Sequence, residues 1–76
     1  MQKSEFYDLI WDETGVQRSR ITDDARFLDD LGCDSLAVVE LVIALEEHFG
    51  VAISDQLADS WATVGDVWRW VDGRGD

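Results

Sequence analysis

The sequence has little cysteine, little basic charge and no proline at all. Its 76 residues include one cysteine, one histidine and six lysines and arginines, against seventeen acidic residues. A single cysteine cannot form a disulfide within the chain, so we expect a reducing, cytoplasmic environment. The N-terminal residues lack a basic segment followed by an apolar run, and no apolar stretch approaches membrane-spanning length. We therefore expect neither a secretory signal peptide nor a membrane anchor.

The charge balance indicates what kind of partner the chain can bind. The formal net charge is −11. Phosphates of nucleic acids and anionic lipids repel such a surface, which makes both poor candidates, whereas basic patches on other proteins attract it. The 46% hydrophobic residues and four tryptophans supply enough apolar surface to drive a core, which argues against disorder.

The length allows one small domain, residues 1–76, with a tail at residues 71–76 that we expect to fray. A domain of this size buries only about 60% of the surface that its unfolded chain exposes. Little interior remains for an enclosed active site. We therefore expect no enzymatic activity, and any chemistry should lie at the surface or in a partner.

Hydrophobic spacing predicts an all-α fold of three main helices plus one short helix. The first helix should cover residues 3–14 and end at Gly15, with Phe6, Leu9 and Ile10 on its buried stripe. A long loop, residues 15–33, follows. It should be ordered, because it carries five apolar anchors: Val16, Ile21, Phe27, Leu28 and Leu31. Phe27 and Leu31 are four residues apart, which fits a short helical turn.

The remaining helices carry clear start and stop signals. The second should cover residues 35–49 and end at Gly50. Ser54 can cap a short third helix over about residues 55–60. Thr63 can cap the last helix, with Asp66 completing a near capping box. The inner stripe of that helix should consist of Val64, Val67, Trp68 and Val71.

The second helix has two apolar faces. One is the stripe that packs into a core: Val38, Leu41, Val42, Leu45 and Phe49. The other lies roughly opposite and is bordered by acidic residues: Leu36, Val39 and Ile43, with Glu40, Glu46 and Glu47. Isolated exposed apolar residues are ordinary and need no explanation. At helical spacing and among acids, they also fit a docking face for a basic partner. The pattern alone leaves both interpretations open.

Ser35 stands at the start of this second helix. Local sequence favours a capping role for it. A catalytic role is improbable, because the one histidine, His48, lies about 20 Å away along the same helix at 1.5 Å per residue. We therefore predict no catalytic residue. A helix N-terminus also favours a phosphate group, although Asp34 adds like charge next to it.

A calcium-binding loop can be tested against the same segment. A loop starting at Asp29 would place Glu40 at its twelfth position. Leu31 and Cys33 then occupy ligand positions without an oxygen donor, and Asp34 stands where glycine is required. We therefore predict no metal site.

Residues 27–36 (FLDDLGCDSL) followed by residues 39–49 (VELVIALEEHF) resemble the acyl carrier protein family. The family's Asp-Ser-Leu signature is matched by Asp34, Ser35 and Leu36. The resemblance implies an acyl-carrier-like helical bundle. It also implies that a phosphopantetheinyl transferase moves 4′-phosphopantetheine from coenzyme A onto Ser35, and that the thiol of this arm then holds an acyl group as a thioester.

The resemblance also identifies positions that meet partner enzymes, which we expect to carry basic docking patches. These enzymes would load, condense or tailor the acyl group, and we expect the carrier itself to be a monomer. The positions implied to bind partners are Asp34, Leu36, Val39, Glu40, Ile43, Glu46 and Glu47. In relatives the acyl chain can tuck between the helices, and here Val38, Leu41 and Leu45 are the candidate liners.

Three classes of function remain open. The first is a carrier in a fatty acid, polyketide or related specialised route. The second is an aminoacyl or peptidyl carrier of a nonribosomal peptide pathway. Those proteins often have glycine-rich residues before the serine, where this sequence has Cys33 and Asp34. This difference and the net charge favour the acyl type. The third is a helical adaptor. Ala37 replaces an acid common in relatives, Cys33 should be structural, and Trp70 fits either a contact surface or an exposed ring.

Overall fold

The computed structural model describes residues 1–74, which form a bundle of helices around one core. Four α-helices occur in this part of the chain, with a 3₁₀ turn between the first two: α1 Lys3–Thr14, the turn Arg18–Arg20, α2 Ser35–Phe49, α3 Asp55–Asp59 and α4 Val64–Asp72. The predicted all-α class and the predicted bounds of α1 and α2 are confirmed. Helix α3 ends one residue before the predicted end, because Ser60 is its C-cap.

The predicted fraying from residue 71 onward is wrong at its start. Helix α4 continues through Asp72, and Val71 is only 1% exposed. Its burial against the core supplies the free energy that holds the last turn. The end of the predicted tail, residues 75–76, lies outside the described residues.

The core is formed by the inner stripes of α1, α2 and α4. The most deeply buried side chains are Phe6, Ile10, Leu41, Leu45, Val64, Val67 and Val71. Burial of one such side chain contributes roughly 1.5–3 kcal/mol. Trp68 packs against this core as predicted, with its ring 5.6 Å from that of Phe6. No helix within residues 1–74 has the length and apolar character needed to span a membrane.

The loop between α1 and α2 is ordered, and most of its predicted anchors are buried: Val16, Ile21, Phe27 and Leu31, together with Ala25. The backbone N–H groups of Asp30 and Leu31 both donate to the carbonyl of Arg26 at 3.0 Å, which closes a single turn. This turn directs residues 27 and 31 inward. The predicted anchoring role of Leu28 is wrong, because the turn places it outward and leaves it 60% exposed.

Polar contacts fasten the loop to both neighbouring helices. Lys3 and Tyr7 of α1 donate to the carboxylate of Asp23. The backbone carbonyl of Asp23 accepts a 2.8 Å bond from the N–H of Gly65, and Val64 N donates to Ala25 O at 3.0 Å. The loop is therefore part of the folded structure, and its contacts fix the position at which α2 begins.

Trp70 is partly buried, and its ring contacts other parts of the fold. Its ring lies 5.5 Å from Phe49 and 5.7 Å from Trp61, and the guanidinium of Arg74 lies 4.4 Å from its centre. These contacts tie the end of α4 to the end of α2 and to the segment after α3. The interpretation of Trp70 as an exposed ring is therefore wrong, and its interpretation as a contact surface stays a prediction.

Candidate functional site

The start of α2 is built by a short anchored segment. Gly32 has a φ of +69°, a left-handed conformation that glycine adopts with little strain. The N–H of Cys33 donates to Phe27 O at 2.9 Å, and the Cys33 thiol is buried in the core. Burial raises the pKa of this thiol, which disfavours the reactive thiolate and fits the predicted structural role. These contacts fix where α2 begins.

Asp34, and not Ser35, caps α2. The Oδ1 atom of Asp34 accepts a 2.8 Å bond from the N–H of Ala37. Ser35 is the first residue of the helix and is exposed. The capping role that local sequence suggested for Ser35 is therefore wrong. Among residues 1–74, no group forms a hydrogen bond with its hydroxyl, so the Oγ atom is free and exposed to solvent.

The surroundings of Ser35 suit a covalently attached phosphodiester. Within the described chain, the backbone N–H groups of Ser35 and Leu36 have no acceptor, so the first turn presents free donors and the positive end of the helix dipole. The carboxylate of Asp34 opposes an anion by its charge. Its Oδ1 atom is, however, directed to the N–H of Ala37. The donor set therefore fits a phosphate that is attached to Ser35 by a covalent bond.

The predicted outer face of α2 is at the surface. Leu36 is 64% exposed, Val39 50% and Ile43 48%. Glu40 and Glu47 are exposed as well. We call Leu36, Val39 and Ile43 the α2 face. Leu28 lines the same groove as Ser35, Val39 and Ile43. It adds an apolar side chain beside the α2 face, and the sequence analysis did not identify this position as part of that surface.

Glu46 has an intramolecular role that the sequence gave no sign of. Its Oε2 atom accepts a 2.7 Å bond from the backbone N–H of Ile53, and its side chain is half-buried. This bond ties the end of α2 to the segment that leads into α3. Glu46 remains a predicted partner residue, but part of its carboxylate is already committed to the fold.

An open groove with a volume of about 780 Å³ lies between α2 and α3, and Ser35 is one of the residues that line it. Its apolar lining includes Phe27, Leu28, Val38, Val39, Val42, Ile43, Ile53, Ala58, Trp61 and Ala62. Of the three predicted liners, only Val38 is among them. Leu41 and Leu45 are fully buried in the core and do not line the open groove. Val42 lies on the groove side of the helix instead.

Titratable side chains do not assemble into a second site. His48 lies at the opposite end of α2 from Ser35, and its ring packs edge-on against Phe49 at 4.8 Å. Between residues 1 and 74, no group of three or more histidine, cysteine or acidic side chains is arranged to hold a metal ion.

Comparison with known proteins agrees with this geometry. A family model described as a phosphopantetheine attachment site matches residues 4–71. A solved structure from Mycobacterium tuberculosis, provisionally described as an acyl carrier protein, superposes with a TM-score of 0.82. It is 36% identical and the match covers 92% of this chain and 93% of that one.

The helical bundle, the exposed serine and the family match define a phosphopantetheine-binding carrier domain. The chain belongs to the acyl carrier protein family. Membership implies a covalently attached 4′-phosphopantetheine and interaction with enzymes, among them a phosphopantetheinyl transferase.

Proposed function

We propose that this chain carries acyl groups as thioesters on a 4′-phosphopantetheine arm attached to Ser35. It would present them to enzymes of a fatty acid, polyketide or related specialised route without catalysing a step itself. The observation that carries the proposal is the exposed Ser35 hydroxyl at the start of α2, beside an apolar groove. When attached, the arm supplies the thiol that forms the thioester.

The chain's own residues have three tasks in this proposal. The Oγ atom of Ser35 forms the bond to phosphorus. The free N–H groups of the first turn of α2 face the resulting anion, an interaction worth about 0.3–1 kcal/mol at an exposed helix end. Asp34 holds the first turn in place through its bond to Ala37. None of these tasks requires a general base from this chain, because the transferase would supply it.

The α2 face is the proposed docking surface for the partner enzymes. Its apolar side chains would supply desolvation energy on binding, and the acidic side chains around them would orient a basic partner and raise the association rate. Those acids are Asp34, Glu40, Glu46 and Glu47. The exposure of Glu40 and Glu47 and the net charge of −11 support this assignment.

Intact mass spectrometry tests the attachment site. After incubation with coenzyme A, Mg²⁺ and a promiscuous phosphopantetheinyl transferase, the wild-type protein should gain the mass of one phosphopantetheine group. Ser35→Ala should gain none. Ser4→Ala removes another exposed serine at a helix start and serves as the matched control, which should be modified like the wild type. Modification of Ser35→Ala, or an unmodified wild-type protein, would refute the proposal.

The nature of the cargo requires a second measurement. We favour an acyl over an aminoacyl cargo because of the net charge and the Cys33-Asp34 pair before Ser35. The modified protein should accept malonyl or other acyl groups from their loading enzymes and should be a poor substrate for adenylating enzymes that load amino acids. Efficient aminoacylation instead would assign the chain to the aminoacyl and peptidyl carriers.

A further inference from the structure

Glu46 accepts three hydrogen bonds from the segment that connects α2 to α3. Its backbone carbonyl accepts from the N–H of Gly50 at 2.8 Å and from that of Val51 at 3.2 Å. Carbonyls at the end of a helix commonly accept such bonds, whatever the side chain. The Oε2 atom accepts the third bond, from the N–H of Ile53 at 2.7 Å. Only this third bond depends on the identity of residue 46.

Helix α3 is weakly anchored, which makes the bond to Ile53 important for its position. The helix is five residues long, and none of its side chains is buried. Leu57 is only partly buried where it packs against the core. The N-cap Ser54 accepts from the N–H of Leu57 at 3.1 Å, a bond that shapes α3 but joins it to no other helix. The bond from Ile53 to Glu46 does join this segment to α2, and it lies directly before α3 begins.

Helix α3 carries two acidic side chains beside the α2 face. Asp55 and Asp59 are one helical turn apart and exposed, and they line the groove together with Val39 and Ile43 of the α2 face. The ion pairs within residues 1–74 involve neither of these carboxylates. Their charges are therefore not neutralised by a basic side chain of the described chain. A basic partner on the α2 face is attracted by them more strongly the closer α3 lies to that face.

We propose that Glu46 is a positioning residue for partner docking. Through its bond to Ile53 it holds α3 so that Asp55 and Asp59 lie beside the α2 face. This inference rests on the proposed docking of basic enzymes on that face. The positioning role requires an acceptor oxygen at residue 46, whereas a direct contact with a partner uses the negative charge. Glutamine separates the two, because its amide keeps an acceptor oxygen and carries no charge.

Steady-state kinetics of Ser35 modification by a promiscuous phosphopantetheinyl transferase measure docking. The KM for the carrier should be about threefold higher for Glu46→Ala than for Glu46→Gln, as expected when exposed charge contacts are partly lost. The kcat should stay the same, because Ser35 lies about 16 Å away along α2 at 1.5 Å per residue. Glu46→Asp, which keeps the charge but is one methylene shorter, should also raise KM. At the neighbouring exposed Glu47, the matched control, alanine and glutamine should have equal effects.

Replacing both α3 acids tests the route of the effect. In the background of Asp55→Asn with Asp59→Asn, Glu46→Ala and Glu46→Gln should have the same KM, because the charges that Glu46 positions are absent. Circular dichroism establishes that each variant is folded at the assay temperature. If Glu46→Ala is not folded, Glu46→Asp is compared with Glu46→Gln in both backgrounds instead.

The outcomes separate this inference from the proposed function. A wild-type protein that takes no arm on Ser35 would overturn both. Equal KM values for folded Glu46→Ala and Glu46→Gln would overturn the positioning role of Glu46 and leave the carrier function intact. A difference that persists without the two α3 charges, or that falls on kcat instead of KM, would also overturn the inference, because Glu46 would then not act through the position of α3.

Discussion

Replacing Asp34 with alanine should destabilise the folded protein by about 1 kcal/mol, within the range of about 0.5–2 kcal/mol for the loss of a helix N-cap. The change removes the acceptor at 2.8 Å from the N–H of Ala37. Because Asp34 is exposed, water can solvate the freed N–H group, which keeps the loss near the middle of the range. Substitution of this N-cap perturbs the start of α2, and therefore the position of Ser35, without changing the core.

Asp34→Asn separates the hydrogen bond from the charge. Asparagine caps helices about as well as aspartate, so the bond to Ala37 is kept and only the interaction of the negative charge with the helix dipole, about 0.3–1 kcal/mol, is lost. We therefore expect Asp34→Asn to be the milder variant. For a small protein with an m value of about 1 kcal/mol per molar urea, Asp34→Ala should lower the unfolding midpoint by about 1 M.

Urea unfolding followed by circular dichroism, at equal ionic strength for all three proteins, measures these differences. An Asp34→Ala midpoint equal to that of the wild type would refute the assignment of the cap. Equal destabilisation by alanine and asparagine would show that the charge, and not the hydrogen bond, stabilises the helix start. If the folded Asp34→Asn protein is also modified more slowly at Ser35, its carboxylate contacts the transferase, as the prediction of a partner-binding residue requires.

Three further predictions concern the loop, the core and the surface beside Ser35. Burial and the bond to Asp23 raise the pKa of Tyr7 to about 12 from an ordinary value of 10.0. The stabilisation that this shift represents should be fully present below about pH 10. It should be lost as the pH rises toward 12, because in this range Tyr7 ionises in the unfolded chain but not in the folded one. The loss is at most about 2.7 kcal/mol and roughly 1 kcal/mol after solvent screening, and Tyr7→Phe should not show it in pH-dependent urea unfolding. Leu45→Ala should cost about 2–5 kcal/mol by creating a cavity in the core, measured by thermal unfolding. Leu28→Ser should change stability by less than about 0.5 kcal/mol but lower kcat/KM for modification of Ser35 by about fivefold, the equivalent of roughly 1 kcal/mol.

Each of these predictions has a result that contradicts it. An alkaline loss of stability that is identical in Tyr7→Phe would assign it to other groups. A Leu45→Ala protein as stable as Leu36→Ala, which alters an exposed leucine of the same helix, would show that the core is misplaced. Unchanged modification of Leu28→Ser by the transferase would exclude this side chain from the contact surface.

The helix bounds were predictable because their signals are local. Gly15 and Gly50 end α1 and α2 in left-handed conformations, with φ of +74° and +66°. Ser54 accepts from the N–H of Leu57 at 3.1 Å, and Thr63 accepts from that of Asp66 at 3.2 Å. Each of these features joins residues within one helical turn, so the spacing of residue types determines it.

The errors concern properties that depend on contacts between distant segments. Whether Leu41 and Leu45 face the core or the groove depends on where α1 and α3 pack against α2, and both positions satisfy the same helical spacing. The outward direction of Leu28 follows from the turn that begins at Arg26. The bond from Ile53 to Glu46 crosses the end of a helix. No local pattern encodes these arrangements.

The candidate serine, in contrast, came from a short sequence signature, and the structure supplies what the signature could not. The sequence suggested that Ser35 caps its helix, which would have engaged its hydroxyl. The bond between Asp34 and Ala37 takes over that task and leaves the hydroxyl free. Similarly, the groove arises only when α2, α3 and the loop before α2 meet.

Val39 and Ile43 belong to two surfaces at once, since they are exposed on the α2 face and also line the groove. A partner that covers them changes the exposure of the groove's edge to water. If the chain of the cargo lies in the groove, docking and shelter of that chain are linked. If docking favours release of the chain from the groove by some factor, a sheltered chain must weaken docking by the same factor. A carrier loaded with a chain that fits the groove should thus bind such a partner more weakly than one loaded with a chain too short to enter it.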